Sequence, residues 1–243
     1  MTIIMSTIAH NLQAVAATIH ATCQRAGRER ASVHLLAVSK TFPAQAVLDA
    51  MAAGQQAFGE NYLQEALDKI AAIKAALPEA AIEWHFIGPI QSNKTRLTAA
   101  SFDWVHTVER LKIAERLSEQ RPAGMAPLNV CIQVNISGEA SKSGVAPDAL
   151  PELAAKVARL PNLVLRGLMA IPEPATDEAK QRAAFARLRL LAEQLRAGGL
   201  ALDTLSMGMS ADMAAAIAEG ATIVRVGSAI FGTRTYMNTK EQA

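Results

Sequence analysis

The sequence predicts an α/β protein folded as a single (β/α)8 barrel of the TIM type, with an extra helix ahead of the barrel. Three observations carry that prediction. Short apolar runs alternate with longer amphipathic segments, the pattern of repeated βα units on a parallel sheet. About eight such runs fall within 243 residues, which suits one closed barrel. No G-x-G-x-x-G follows the first run, so a doubly wound dinucleotide-binding sheet lacks its fingerprint.

The elements follow in order. In residues 1–27, Ile8, Leu12, Val15, Ile19 and Cys23 recur at helical spacing, and the segment has no basic start. It reads as an amphipathic helix rather than a signal peptide. The barrel is expected over 33–232, with a tail over 233–243. Its strands are VHLLAVS (33–39), AFGEN (57–61), IEWHFIG (82–88), FDWVHTV (102–108), LNVCIQVN (128–135), LVLRGLMA (163–170), DTLSMGM (203–209) and TIVRVGSAIFG (222–232). Helices are expected over 43–54, 61–77, 109–120, 147–160, 177–199 and 210–220. Several of them open on a capping residue or an early proline and close on glycine.

Composition narrows the function. The formal net charge is +2 and basic residues are interspersed with acidic ones, so the chain lacks the electrostatic footprint of a nucleic-acid binder. No apolar run is long enough to span a membrane. Cys23 and Cys131 lie far apart without metal-ligand spacing and read as reduced core residues of a cytoplasmic protein.

In such a barrel the chemistry sits at the C-terminal ends of the strands. The first strand ends in Ser39-Lys40. A lysine whose base is buried by LLAV, with its amine in the barrel mouth, has a lowered pKa and becomes a nucleophile toward carbonyls. The ends of the seventh and eighth strands, SMGMSAD and RVGSAIFG, look like two halves of a phosphate cradle. Ser210 is placed to cap the following helix, and Gly227 and Ser228 offer backbone amides nearby. A ligand carrying both an aldehyde and a phosphate fits this pattern, and pyridoxal 5'-phosphate is such a ligand. Arg225, inside the apolar run TIVRVG, needs a partner. Either an acid such as Asp203 or Glu219 pairs with it, or it donates to a pyridine nitrogen and keeps that ring a poor electron sink.

Together, LLAVSKTFP, AFGENYLQE, EWHFIGPIQSNK, SKSG, RGLMAIP and SMGMSADMAAAIAEGATIVRVGSAIFG resemble the pyridoxal phosphate homeostasis proteins, called YggS in bacteria and PROSC in animals. The likeness covers nearly the whole chain. It implies a barrel like the N-terminal domain of alanine racemase, with the cofactor held as a Schiff base on Lys40. It implies phosphate binding around Ser210, Gly227 and Ser228, with Arg225 at the pyridine nitrogen. Asn61 would lie beside the ring, with Met207 and Met209 near the pocket.

The resemblance also implies a limit on chemistry. Racemising relatives carry a second, β-rich domain that supplies a tyrosine as the opposite-face base, and racemisation needs a proton donor on each face. Here Tyr62 opens a helix and Tyr236 lies in the tail. The expectation is a carrier that holds the cofactor without efficient turnover and delivers it to apo enzymes that use it, as a monomer. A low-activity amino-acid racemase is the alternative, and an aldolase using Lys40 without the cofactor is a third. His85 and His106 read as satisfied inner-barrel histidines. Lys94 and Lys142 read as surface lysines on the top face, where cofactor hand-over would be their functional role.

Overall fold

The structure, a computed structural model, describes residues 7–138 and 143–232. Its element order is α1 (Thr7–Arg25), β1 (His34–Val38), α2 (Ala44–Ala52), β2 (Ala57–Glu60), α3 (Leu63–Ala76), β3 (Glu83–Phe86), α4 (Thr95–Ser101), β4 (Trp104–Val108), α5 (Leu111–Gln120), β5 (Leu128–Gln133), α6 (Leu150–Val157), β6 (Leu163–Met169), α7 (Glu178–Ala197), β7 (Thr204–Ser206), α8 (Met213–Ala218), β8 (Ile223–Val226) and α9 (Ser228–Phe231). The eight strands are parallel and pair in sequence order, and β1 pairs with β8 to close the barrel. Helix α4 is an addition to the six helices expected between strands, and α9 takes the second half of the expected strand 222–232, which ends at Val226. Both are short, at 7 and 4 residues, too short for a helical period to show in the sequence.

Strand alternation produces two apolar layers. Residues facing the helices, among them Ala37, Phe58, Phe86, Val105, Ile132, Leu168, Leu205 and Val226, form the main core with the helix faces. Their inward neighbours form two small inner clusters: Leu36, Val38, Ile87 and Ile223, and Trp104, Cys131 and Met169. Phe58, Phe102 and Phe185 are fully buried in the outer layer. Each contributes roughly 1.5–3 kcal/mol by leaving water.

Helix α1 is amphipathic as its spacing requires. It buries Leu12, Val15, Ile19 and Cys23 and packs against α2, α8 and α9. The Asn11 side-chain amide donates to the Ile230 carbonyl, and the Arg28 guanidinium donates to the carbonyls of Ile217 and Ala221. The N-terminal segment is thus tied to the βα units that end the chain, where β8 meets β1.

Candidate functional site

Lys40 follows β1 at the C-terminal mouth. The alternation that turns Leu36 and Val38 inward carries Lys40 to the same face, and its side chain is half-buried. Ser39 points the other way and donates to Glu60 Oε1 at 2.6 Å. From α3, Lys69 Nζ donates to the Ser39 carbonyl at 2.8 Å, to Glu60 Oε1 at 2.5 Å and to Glu65 Oε1 at 3.2 Å. Glu65 Oε1 also accepts from the Thr41 amide at 2.6 Å. Thr41 sits at φ 68°, the left-handed region that a β-branched residue rarely adopts. Lys40 is therefore gripped on both sides by one ionic cluster, with a strained residue next to it in the chain. Burial pushes the Glu60 carboxyl up from the usual range, and Lys69 opposes the shift.

Asn61 follows β2. Its Oδ1 is buried with no hydrogen-bond partner among the described residues. Gly88, after β3, passes so close that a Cβ there would meet the Asn61 carbonyl oxygen at 2.0 Å. Only glycine fits, and its backbone fixes where Asn61 stands.

Arg225 lies on the inner face of β8 and is buried. Its Nη1 donates to Ser206 Oγ at 2.8 Å and its Nη2 to the Ala170 carbonyl at 2.9 Å. Neither expected acid pairs with it. Asp203 receives Arg166 through both carboxylate oxygens, and Glu219 receives Arg182 and Arg189. The reason is position: Asp203 precedes β7 at the opposite mouth, and Glu219 caps α8 outside the barrel. Burial lowers the Arg225 guanidinium to about 10, so it remains a cation at neutral pH.

The remaining expected residues converge at the ends of β7 and β8, with one correction. Helix α8 starts at Met213 and its N-cap is Asp212, so Ser210 does not cap it; Ser210 lies exposed in the preceding turn. Asp212 instead closes that turn, accepting from the Met209 amide at 2.6 Å. Met209 is exposed, whereas Met207 is fully buried within the main core, so its side chain faces the helices and only its backbone borders the mouth. Gly227 is the N-cap of α9 and Ser228 is its first residue. Gly227 lies against the Val38 carbonyl, two residues before Lys40, and Phe42 contacts Phe231 with ring centroids 5.2 Å apart. Lys40 and the β8 end are thus neighbours.

His85 and His106 lie inside the barrel, bonded to each other at 2.9 Å, and His106 also contacts Ser206 at 2.8 Å. Tyr62 is exposed ahead of α3, and Lys94 is exposed ahead of α4. Lys142 and Tyr236 lie outside the described residues. The sequence reading missed Ser206, the Ala170 carbonyl and Asp212, none of which stands out from its neighbours. It also missed the cluster of Glu60, Glu65 and Lys69, although a glutamate inside the strand AFGE was a signal. A cavity of about 820 Å³ opens at the N-terminal mouth between Arg30, His34, Glu83, His85, Arg166 and Asp203, away from Lys40. Among the described residues no His, Cys, Asp or Glu group is arranged for a metal ion, and no helix is long and apolar enough to cross a membrane.

The closed barrel, with a lysine after its first strand and a buried arginine on its eighth, defines the class: residues 6–235 match the alanine racemase N-terminal domain. Within that class the chain belongs to the pyridoxal phosphate homeostasis protein family. It is 65% identical over 232 residues to the pyridoxal phosphate homeostasis protein of Pseudomonas aeruginosa, covering 96% of this chain and 98% of the relative. Its identity to the Escherichia coli K12 protein of the same name is 54%, with 96% and 99% covered. The structure of PipY from Synechococcus elongatus PCC7942 with PLP bound is 37% identical, with a TM-score of 0.81 over 93% of this chain and 100% of PipY. Alanine racemase from Corynebacterium glutamicum, 20% identical with a TM-score of 0.68, aligns with 94% of this chain and 61% of that enzyme, a likeness of fold alone.

Proposed function

We propose that this chain binds pyridoxal 5'-phosphate at the C-terminal mouth of the barrel, as a Schiff base on Lys40, and serves the homeostasis and carriage of the cofactor inside the cell without efficient catalysis. The observation that carries the reading is Arg225. It is a buried cation on the inner face, it donates only to neutral oxygens among the described residues, and it stands one strand away from the lysine. A guanidinium has five donors, and those not spent on Ser206 and Ala170 suit a ring nitrogen. The orphaned Asn61 Oδ1 supports the same fit, because a buried acceptor without a partner is costly unless a ligand supplies one.

When bound, the cofactor supplies an electron sink, which a cation beside its ring nitrogen weakens by opposing protonation there. The chain's own residues hold it. Lys40 provides the amine, and the cluster of Lys69, Glu60 and Glu65 fixes the backbone on either side of that amine. Gly227 and Ser228, with Ser210 and Met209 in the facing turn and the Met207 backbone behind it, form the phosphate end. Asn61 flanks the ring. The relatives' name, homeostasis protein rather than an enzyme name, supports a carrier, and apo enzymes that use the cofactor would be its recipients.

The test is spectroscopic and chemical. Purified protein given pyridoxal phosphate should turn yellow, and borohydride followed by mass mapping should place the label on Lys40. Lys40→Ala should abolish both results. A colourless wild type, or a label found elsewhere with Lys40 unmodified, would overturn the cofactor assignment. An alanine racemisation assay decides the remaining question, since clear turnover in both directions would replace the carrier by a racemase.

A further inference from the structure

A line of hydrogen bonds crosses the barrel interior from Arg225 to His85. Arg225 Nη1 meets Ser206 Oγ at 2.8 Å, His106 Nδ1 meets Ser206 Oγ at 2.8 Å, and His85 Nδ1 meets His106 Nε2 at 2.9 Å. The line ends at His85: its Nε2 has no hydrogen-bond partner among the described residues, and the Glu83 carboxylate stands beside it, with Oε1 3.5 Å away. All but Glu83 are buried.

The direction of every bond follows from its first member, because a guanidinium has donors and no acceptor. Ser206 must accept from Arg225. Its own proton then goes to His106 Nδ1, since the reverse would leave a buried hydroxyl proton with no acceptor among the bonds that the described residues make. His106 therefore carries its proton on Nε2 and donates to His85 Nδ1. His85 in turn carries its proton on Nε2, the nitrogen that lies 3.5 Å from the Glu83 carboxylate. Both imidazoles must be neutral, which agrees with burial holding both below the ordinary histidine range.

Glu83 is well fixed beside that nitrogen. It also accepts from the Trp104 indole N–H, and that indole stacks on His85 with centroids 5.3 Å apart at 8° and lies under the Arg166 guanidinium at 4.9 Å. The Glu83 side chain is 48% exposed, at the rim of the 820 Å³ cavity.

We infer that Ser206, His106 and His85 are positioning residues, a one-way donor relay, biased by the nearby Glu83 carboxylate, that orients Arg225 at the cofactor end of the barrel. What Arg225 faces rests on the function proposed above; the relay itself can be read without cofactor.

The experiment therefore has two arms. In cofactor-free protein with 15N-labelled histidine, long-range proton–nitrogen spectra should show His85 and His106 as neutral Nε2–H tautomers, and Ser206→Ala should alter the pattern of His106. A neutral Nδ1–H tautomer or a charged ring at either position near neutral pH overturns the relay. In the second arm, absorbance titration with pyridoxal phosphate should show Ser206→Ala weakening binding about tenfold, the scale of one charge-assisted hydrogen bond. Glu83→Ala should weaken it about threefold, and Glu83→Gln, whose amide oxygen still accepts, should restore wild-type binding, the signature of a coupled network. Unchanged binding in Glu83→Ala, or equal loss in Glu83→Gln, overturns the positioning role. A wild type that binds no cofactor overturns the cofactor reading instead and leaves the relay to be decided by the histidine spectra.

Discussion

Arg225 and the two inner histidines are polar groups in a place where polarity is expensive, and the barrel keeps them by pairing each with another. The histidines give this a measurable consequence. Burial lowers the pKa of both, most strongly for His106, which Arg225 and His85 also oppose as a cation. In the unfolded chain they titrate near about 6.5. As pH falls through that value the unfolded state takes up protons that the folded state refuses, so stability must fall with it. The slope is at most about 1.4 kcal/mol per pH unit for each histidine. Urea unfolding at a series of pH values between about 7 and 5 should show this loss, and His106→Phe should flatten it. Cys131 is the opposite case: burial pushes its thiol up to about 12, so a thiol reagent should leave it unmodified in folded protein and label it after denaturation.

At the scale of elements, α3 does more than cover β2. Lys69 enters between β1 and β2, and its partner Glu60 is fully buried. Removing the lysine strands that carboxylate. Lys69→Met should cost about 3–5 kcal/mol in denaturant unfolding, and Glu60→Gln on the same background should recover part of the loss. Neutralising both at once would show whether the pair is needed for stability or for holding Lys40, because pyridoxal phosphate attachment should remain slowed after stability returns. The β6–β7 pair is bound by geometry instead: a Cβ at Gly167 would lie 1.8 Å from the Thr204 carbonyl oxygen. Gly167→Ala must push the two strands apart, and with them the Ser206 and Ala170 oxygens that hold Arg225. This element-level control of the site was hidden in the sequence, where RGLMA reads as an ordinary strand.

At the scale of the whole molecule, the large apolar side chains left exposed among the described residues, such as Leu77, Leu97, Met125, Val164 and Leu190, are distributed among different elements, which is normal for a monomer surface. We expect light scattering to give the mass of one chain, with and without cofactor; a dimer would mean that an interface forms from other residues. The barrel itself was legible because eight apolar runs separated by amphipathic segments leave few ways to bury both faces of a parallel sheet. Lys40, Arg225 and the turns at Ser210 and Gly227 were legible because charge or small residues interrupt those runs, and strand ends are where such a fold keeps its chemistry. Local patterning determined that much, since period, punctuation and residue type are properties of a short segment. Only closure of the sheet decided who pairs with whom. It gave Arg225 to Ser206 and Ala170, 19 and 55 residues away, and left Asp203 to Arg166. It also moved the cap of α8 from Ser210 to Asp212 and joined His85, His106 and Ser206 in one line. Those pairings depend on register and barrel curvature, which bring distant residues onto one inner face, and no segment of the sequence contains them.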